Sequence, residues 1–239
     1  MSGIKLADLS HQWGTKTALD SVSFEVESGR FCALLGPNGA GKSTLFGILT
    51  GLFAPMAGQV QVAGYDLERS PRMALSHMGV VFQQHTLDLD LTVWRNMLYF
   101  AGLHGMSGKT AKLAAAEALD RLGMVSRGGE RVRDLNGGHR RRLEIARSLM
   151  HRPSVLLMDE PTVGLDAQTR QDITDHAHIL ARDLGLCVLW ATHLTDEIRQ
   201  GDALVILDQG RVIEHGHVTQ TGQDLTDHYL NLTQGQCAA

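Results

Sequence analysis

Cysteine is scarce in this sequence of 239 residues: Cys32, Cys187 and Cys237 are the only three, far apart and with no C-x-x-C pair. So sparse and odd a set excludes a disulfide framework and reads as free thiols in a reducing compartment. Cys32 and Cys187 lie in apolar runs and are expected in the core. Nowhere do ~18 consecutive apolar residues occur, which excludes an ordinary membrane-spanning helix. The opening stretch Met1–Asp8 has no basic segment followed by an apolar one, so no secretory signal is expected and the protein is expected to begin in the cytosol. There is no basic excess either. A net charge of -4 argues against a protein whose main work is coating nucleic acid. Internal repeats and low-complexity tracts are also missing. What remains is 43% hydrophobic and 20% charged, the composition of a soluble globular chain. The length suits one α/β domain or two small lobes with a sizeable core.

Short β-like runs alternate with helical patterns. Residues 22–26 (Val-Ser-Phe-Glu-Val) alternate apolar and polar as a half-buried strand does, whereas 31–35 form a continuous apolar run ending at Gly36, as in a buried parallel strand. Further strands are expected at 60–62, 78–82, 155–158 and 186–190. Residues 204–207 and 211–213 flank Asp208-Gln209-Gly210, a hairpin signal. Ile173, Ala177, Leu180 and Leu184 recur at helical spacing between two of the buried runs. Strand, crossover helix and strand imply a parallel sheet covered by helices. From Leu91 to about Leu149 the strand signals vanish and alanine-rich helix formers take over. The simplest reading is a helical lobe inserted into an α/β core.

Two segments carry chemistry. Gly36-Pro37-Asn38-Gly39-Ala40-Gly41-Lys42-Ser43-Thr44 matches G-x-x-x-x-G-K-[ST] between a strand and a helix. There glycines let backbone N–H groups wrap phosphate oxygens, and the helix N-terminus adds its dipole. Lys42 would reach the β and γ phosphates of ATP, and Ser43 would ligate Mg²⁺. The run at 155–158 then delivers Asp159 toward the Mg²⁺ shell, through water, and places Glu160 where a carboxylate polarises an attacking water. Between them Leu135-Asn136-Gly137-Gly138-His139 opens a helix and forms a second anion site by the same reasoning.

With these segments in order, the chain resembles the ATP-binding-cassette (ABC) ATPases over roughly residues 4 to 220. The family's signature loop reads L-S-G-G-Q where this chain has L-N-G-G-H. Gln83 matches the Q-loop glutamine, Gly164-Leu165-Asp166 the D-loop and His193 the switch histidine, while Trp13 stands where an aromatic stacks on adenine. The resemblance implies a P-loop NTPase (RecA-like) core with an N-terminal antiparallel β subdomain and an inserted helical subdomain at 90–149, all within a single domain, 1–239. It also implies two such domains closing head to tail, as homodimer or heterodimer, each ATP lying between one phosphate loop and the other chain's Asn136–His139. Glu160 would then be the general base, His193 would hold the γ-phosphate and water, and Gln83 would sense Mg²⁺.

Two departures stand out. Asn136 replaces serine and His139 replaces glutamine, and both retain hydrogen-bond donors. A polyanion beside His139 is expected to raise its pKa. The altered loop resembles those of transport ATPases associated with quinoprotein alcohol-oxidation systems. Other features read as structural: His215 and His217 on one strand face, His176 and His178 on different helix faces, and Arg140-Arg141-Arg142 as a solvated or paired helix start. By resemblance, the leading function is the ATPase subunit of a membrane transporter on the cytoplasmic face of the inner membrane, with a separate permease and no nucleic-acid partner. The permease would dock on 84–100, through Leu87, Leu89, Leu91, Val93 and Trp94. Export is favoured because residues 159–166 resemble those of drug- and polysaccharide-export ATPases, and because little chain follows His193. The alternative is a soluble ABC ATPase such as an iron–sulfur assembly factor.

Overall fold

The computed structural model describes residues 2–219 and 221–234, so Cys237 lies outside the described residues. β1 (Ser2–Trp13) and β2 (Lys16–Glu27) form an antiparallel hairpin with Leu6 opposite Phe24 and Trp13 opposite Lys16. Along β2 the side chains of Val22, Phe24 and Val26 are buried and those between them exposed, as alternation requires. β1 has no comparable sequence signal. Its pairing with β2 shifts register repeatedly, Asp8 takes φ 50°, and its buried residues therefore fall out of strict alternation.

β3 (Phe31–Leu35), buried throughout, begins the second sheet and runs through loop 36–41 into α1 (Lys42–Leu49). β4 (Ala57–Val62) and β5 (Tyr65–Asp66) complete the first sheet in the order β2-β1-β4-β5. After α2 (Pro71–Ser76) and β6 (Met78–Val81) come α3 (Val93–Leu103), α4 (Gly108–Arg121) and α5 (Gly137–Leu149). β7 (Val155–Asp159), α6 (Ala167–Leu184) and β8 (Cys187–Thr192) form the expected crossover, followed by the hairpin β9 (Ala203–Asp208) and β10 (Arg211–His217), then α7 (Gln223–Gln234). The second sheet has the order β10-β9-β3-β8-β7-β6, parallel except for edge strand β10.

Alternate side chains of β3 enter different cores. Phe31, Ala33 and Leu35 pack with α3–α6, while Cys32 and Leu34 pack with α1 and the first sheet. The parallel sheet is thus a middle layer, as α/β architecture demands. Burial pushes the Cys187 thiol up to about 12 and the Cys32 thiol higher still, so neither is a thiolate at neutral pH. Ile173, Ala177 and Leu180 are buried as the spacing predicts. Leu184 is not: the helix ends there, Gly185 turns left-handed, and the side chain is 41% exposed. Two of the five apolar residues expected to form a docking groove differ from that expectation: Leu87 and Val93 are buried in the core. Leu91 and Trp94 are partly buried and Leu89 is exposed.

The turn between β9 and β10 is the two-residue type that hairpins favour, Gln209 and Gly210 taking φ 46° and 79°. Gly210 donates its N–H to Ala40 O at 2.9 Å and accepts from Asp20 N–H at 2.8 Å. One glycine thereby ties the phosphate loop, the hairpin and β2 together.

Candidate active site

Because β3, β8, β7 and β6 are parallel neighbours, their C-terminal ends lie along one edge, with Leu35 beside Thr192, Ala191 beside Asp159 and Val81 beside Met158. Ligands bind at that edge in open α/β sheets. The segments that leave it carry Gly36, His193, Glu160 and Gln83, residues far apart in sequence.

Loop 36–41 wraps toward the first turn of α1. Gly39 and Gly41 take φ 87° and 112°, and a Cβ on Gly41 would sit 2.6 Å from Ala18 O. No other residue fits there without displacing β2. Lys42 is buried and folds back, Nζ donating to Gly36 O at 2.6 Å and Pro37 O at 3.2 Å. Burial lowers its pKa, and the neighbouring Glu160 opposes the shift.

Glu160 is the meeting point. Its Oε1 lies 3.5 Å from Lys42 Nζ and 3.4 Å from His193 Nδ1, and its Oε2 accepts from Gln83 Nε2 at 3.4 Å. Of the four residues read from the sequence as catalytic, three therefore converge on the carboxylate of the fourth. Its backbone is held at φ 44°, a conformation uncommon for a residue with a side chain. Asp159, one residue earlier, has its pKa raised by burial and by Glu160, against the pull of Lys42. A cleft of about 270 Å³ opens here, lined by Trp13, Pro37, Asn38, Gly39, Gly41, Lys42, Ser43, Thr44, Gln83 and Glu160 among others. Trp13 stands at its mouth, 53% exposed, donating Nε1–H to Thr44 Oγ1 at 3.3 Å. It also makes T-shaped ring contacts to Phe53 (4.9 Å) and to buried His11 (4.8 Å).

Asn136 is the N-cap of α5, its Oδ1 accepting from His139 N–H at 2.8 Å. The side-chain oxygen is thus engaged locally and the amide N–H₂ remains the donor. A Cβ on Gly138 would meet the Thr169 methyl at 2.5 Å, and one on Gly137 would meet Leu165 at 3.2 Å. Asp166 caps α6, accepting from Thr169 N–H at 2.9 Å and Thr169 O–H at 2.7 Å. The signature and the D-loop are therefore packed together. Among the described residues, none of Asn136, Gly137, Gly138 and His139 lines the cleft around Lys42. His139 has its pKa lowered by partial burial, Arg127 and Arg142, which outweigh Glu130, opposite to the shift expected beside a phosphate.

Some residues were invisible to sequence reasoning. Buried Glu197 accepts from Trp190 Nε1–H at 2.9 Å and from the Thr162 hydroxyl, joining β8 to the turn after Glu160. The arginines after the signature are paired as expected. Arg140 donates to Val132 O and Arg133 O, and Arg142 to Asp172. Arg141, however, is buried and reaches the backbone at Phe82 and Gln83.

Glycine loop, lysine and acidic strand end on a parallel sheet define a P-loop nucleotide-binding ATPase. The ABC transporter family model matches residues 19–163, and the chain belongs to that family. It is similar to the linearmycin resistance ATP-binding protein LnrL of Bacillus subtilis (strain 168), 34% identical over 90% of this chain and 70% of that protein. To the Nod factor export ATP-binding protein I of Paraburkholderia xenovorans (strain LB400) it is 39% identical over 90% of this chain and 71% of that protein. A dimeric bacterial ABC transporter cassette superposes with TM-score 0.79 at 27% identity, covering 91% of this chain and 99% of that chain. A post-hydrolysis dimeric cassette bound to ADP and Pi gives 0.77 at 28%, covering the same shares of both chains. The protein is thus an ATP-binding subunit of an ABC transporter and an ATPase. These relatives lend no support to the soluble alternative. No helix among the described residues is long and apolar enough to cross a membrane.

Proposed function

We propose that the chain, one ABC domain over 1–239 with 90–149 as its inserted helical subdomain, hydrolyses ATP at a site shared by two copies or by two similar subunits. The convergence of Lys42, Gln83 and His193 on Glu160 carries this reading. Backbone N–H groups of 36–44 hold the β and γ phosphates, and Trp13 offers its exposed face to adenine. The triphosphate draws Lys42 Nζ away from Glu160, because a polyanion outcompetes a single carboxylate for the ammonium. Glu160 then accepts a proton from the attacking water while His193 orients the γ-phosphate. Ser43, Gln83 and, through water, Asp159 supply hard oxygen donors suited to Mg²⁺. Their chemistry fits a dication, since Asp159 and Glu160 are adjacent carboxylates, each acting on the other, with Lys42 as the one cation they share. Mg²⁺ bound there would neutralise charge developing on the phosphates. Asn136, Gly138 and His139 face the partner's γ-phosphate, which explains why they lie outside their own cleft.

The work is delivered to a separate permease, with the chain peripheral on the cytoplasmic face of the inner membrane. Segment 84–100 supports that reading through exposed Leu89 and Tyr99. Export is the direction we assign, supported by relatives named for linearmycin resistance and Nod factor export. The test is complementation between two inactive chains. Lys42→Ala removes the phosphate cation, and Gly138→Asp blocks the signature. Mixed, they should regain part of the ATPase activity, since one composite site in each mixed dimer is intact. Mixed dimers that form but stay inactive would rule out the shared site.

A further inference from the structure

The residues flanking Gln83 are held by a buried polar clamp on α5. Arg141 donates Nη1–H to Phe82 O at 2.7 Å and Nη2–H to Gln83 O at 2.9 Å. Glu144 accepts from Arg141 at 2.8 Å, from Thr86 N–H at 2.8 Å and lies 3.0 Å from His85 Nδ1. One turn on, Arg147 donates to Thr86 O at 2.9 Å and packs its guanidinium 3.9 Å from the Phe100 ring centroid. Exposures of 2%, 1% and 7% for Arg141, Glu144 and Arg147 take all three charges out of water. Burying a charged triad is costly unless every partner is in place, so the cluster is weak evidence for stability and stronger evidence for a fixed geometry. What it fixes is backbone. The carbonyls of 82, 83 and 86 and the N–H of 86 all end on α5, while the Gln83 side chain points the other way, onto Glu160. The same helix begins at Asn136–His139, so its first turn carries the signature and its next turns grip the Q-loop.

We propose that Arg141 and Glu144 are positioning residues for Gln83. They hold its backbone against α5 so that its amide stays in register with Glu160 and with the metal-bound phosphate. This rests on the role assigned to Gln83 above. It also means that partner-held nucleotide, pressing on the N-terminus of α5, and Gln83 in the chain's own site are joined by one rigid helix.

The experiment is a double-mutant cycle on the full chain, reading kcat and KM for ATP together with the Kd of a fluorescent ATP analogue. Glu144→Ala strands Arg141 and risks the fold, so the pair Arg141→Met/Glu144→Leu is measured beside it; replacing a buried ion pair by apolar residues of similar volume commonly preserves folding. The expected result is a nucleotide Kd unchanged within about twofold and a kcat lowered about tenfold or more, as small misplacements of catalytic groups produce. In a Gln83→Ala background the same substitutions should cost nothing further, because residues acting through one another are not additive. Losses that multiply fully with that of Gln83→Ala, a raised KM at unchanged kcat, or kinetics like the parent's would overturn the positioning role. A Gln83→Ala protein with undiminished kcat would overturn the reading of Gln83 itself, and the clamp's function with it.

Discussion

Lys42 and Glu160 face each other across the cleft, Nζ and Oε1 3.5 Å apart. The cation that must meet phosphate and the carboxylate that must meet water are thus each other's partners. Replacing Glu160 by glutamine removes both the general base and the anion that occupies Lys42. Turnover should fall by about 100-fold or more, the usual contribution of a positioned base, while ATP affinity is kept or improved. Phosphate release and equilibrium nucleotide binding measure the two halves. Hydrolysis at the parental rate would remove Glu160 from its role.

Trp13 is half-exposed at the mouth of the cleft, with His11 and Phe53 against it in T-shaped contacts. Aromatic–base stacking contributes on the order of 1–3 kcal/mol. Trp13→Ala should therefore weaken ATP binding by that amount and Trp13→Tyr by far less. Equal affinities in all three proteins would assign the ring to packing against Phe53 alone.

His139 tests the altered signature. In the single chain its pKa lies below the ordinary value, because of burial, Arg127 and Arg142. A partner-held triphosphate raises it, so the closed dimer binds more protons than the separated chains. Dimerisation then strengthens as pH falls through the pKa of the closed form and levels off below that of the free chain. In a Glu160→Gln background at fixed ATP and Mg²⁺, the dimer fraction should climb between about pH 7.5 and 5.5, the range in which perturbed histidines titrate. His139→Gln should flatten that slope. A slope unaffected by the substitution would place the proton elsewhere and leave His139 as a neutral variant.

A stacked pair of histidines bears on stability rather than turnover. His151 stacks on His104 with ring centroids 4.1 Å apart, and Nε2–H donates to Met78 O at 3.0 Å. Burial, with His104 beside it, lowers the His151 pKa from 6.5 to about 4. The unfolded chain therefore binds a proton that the folded chain refuses. Stability is full above about pH 6.5 and is lost as pH falls toward 4. The loss is at most roughly 3 kcal/mol, from 1.36 kcal/mol per unit. Urea midpoints at neutral and mildly acidic pH should separate more for the parent than for His151→Gln, which can still donate to the carbonyl. Identical pH dependence in both would clear His151.

Much of this was legible before any coordinates. Strands β3, β7 and β8 announce themselves because a parallel strand buried on both faces must be apolar throughout, and the phosphate loop because its chemistry tolerates few sequences. Glu160, His193 and Gln83 came from ordered motifs, and their meeting at one carboxylate follows from the parallel order of four strands. β1 was hidden because bulges at Asp8 and beyond break the two-residue period on which strand reading depends. Leu87 and Val93 are buried although they lie in a segment expected to dock, because an apolar residue there looks the same in sequence whether it serves the core or a partner. The Arg141–Glu144 clamp was unreadable for a further reason: the i,i+3 spacing shows that the two can pair, but their other partners lie 58 to 59 residues away and, His85 apart, are backbone atoms that no side-chain pattern encodes.

The knot at Gly210 has a metric consequence. Trp13 belongs to the same hairpin as Ala18 and Asp20, while Lys42 follows Ala40, and Gly210 bonds to both sides. The separation between the strand that carries Trp13 and the loop that leads to Lys42 is therefore tied by main-chain hydrogen bonds. If Trp13 stacks on the base and the loop holds the phosphates, the cleft is a ruler of fixed length, and a nucleotide whose linkage is stretched or shortened would satisfy either end but not both.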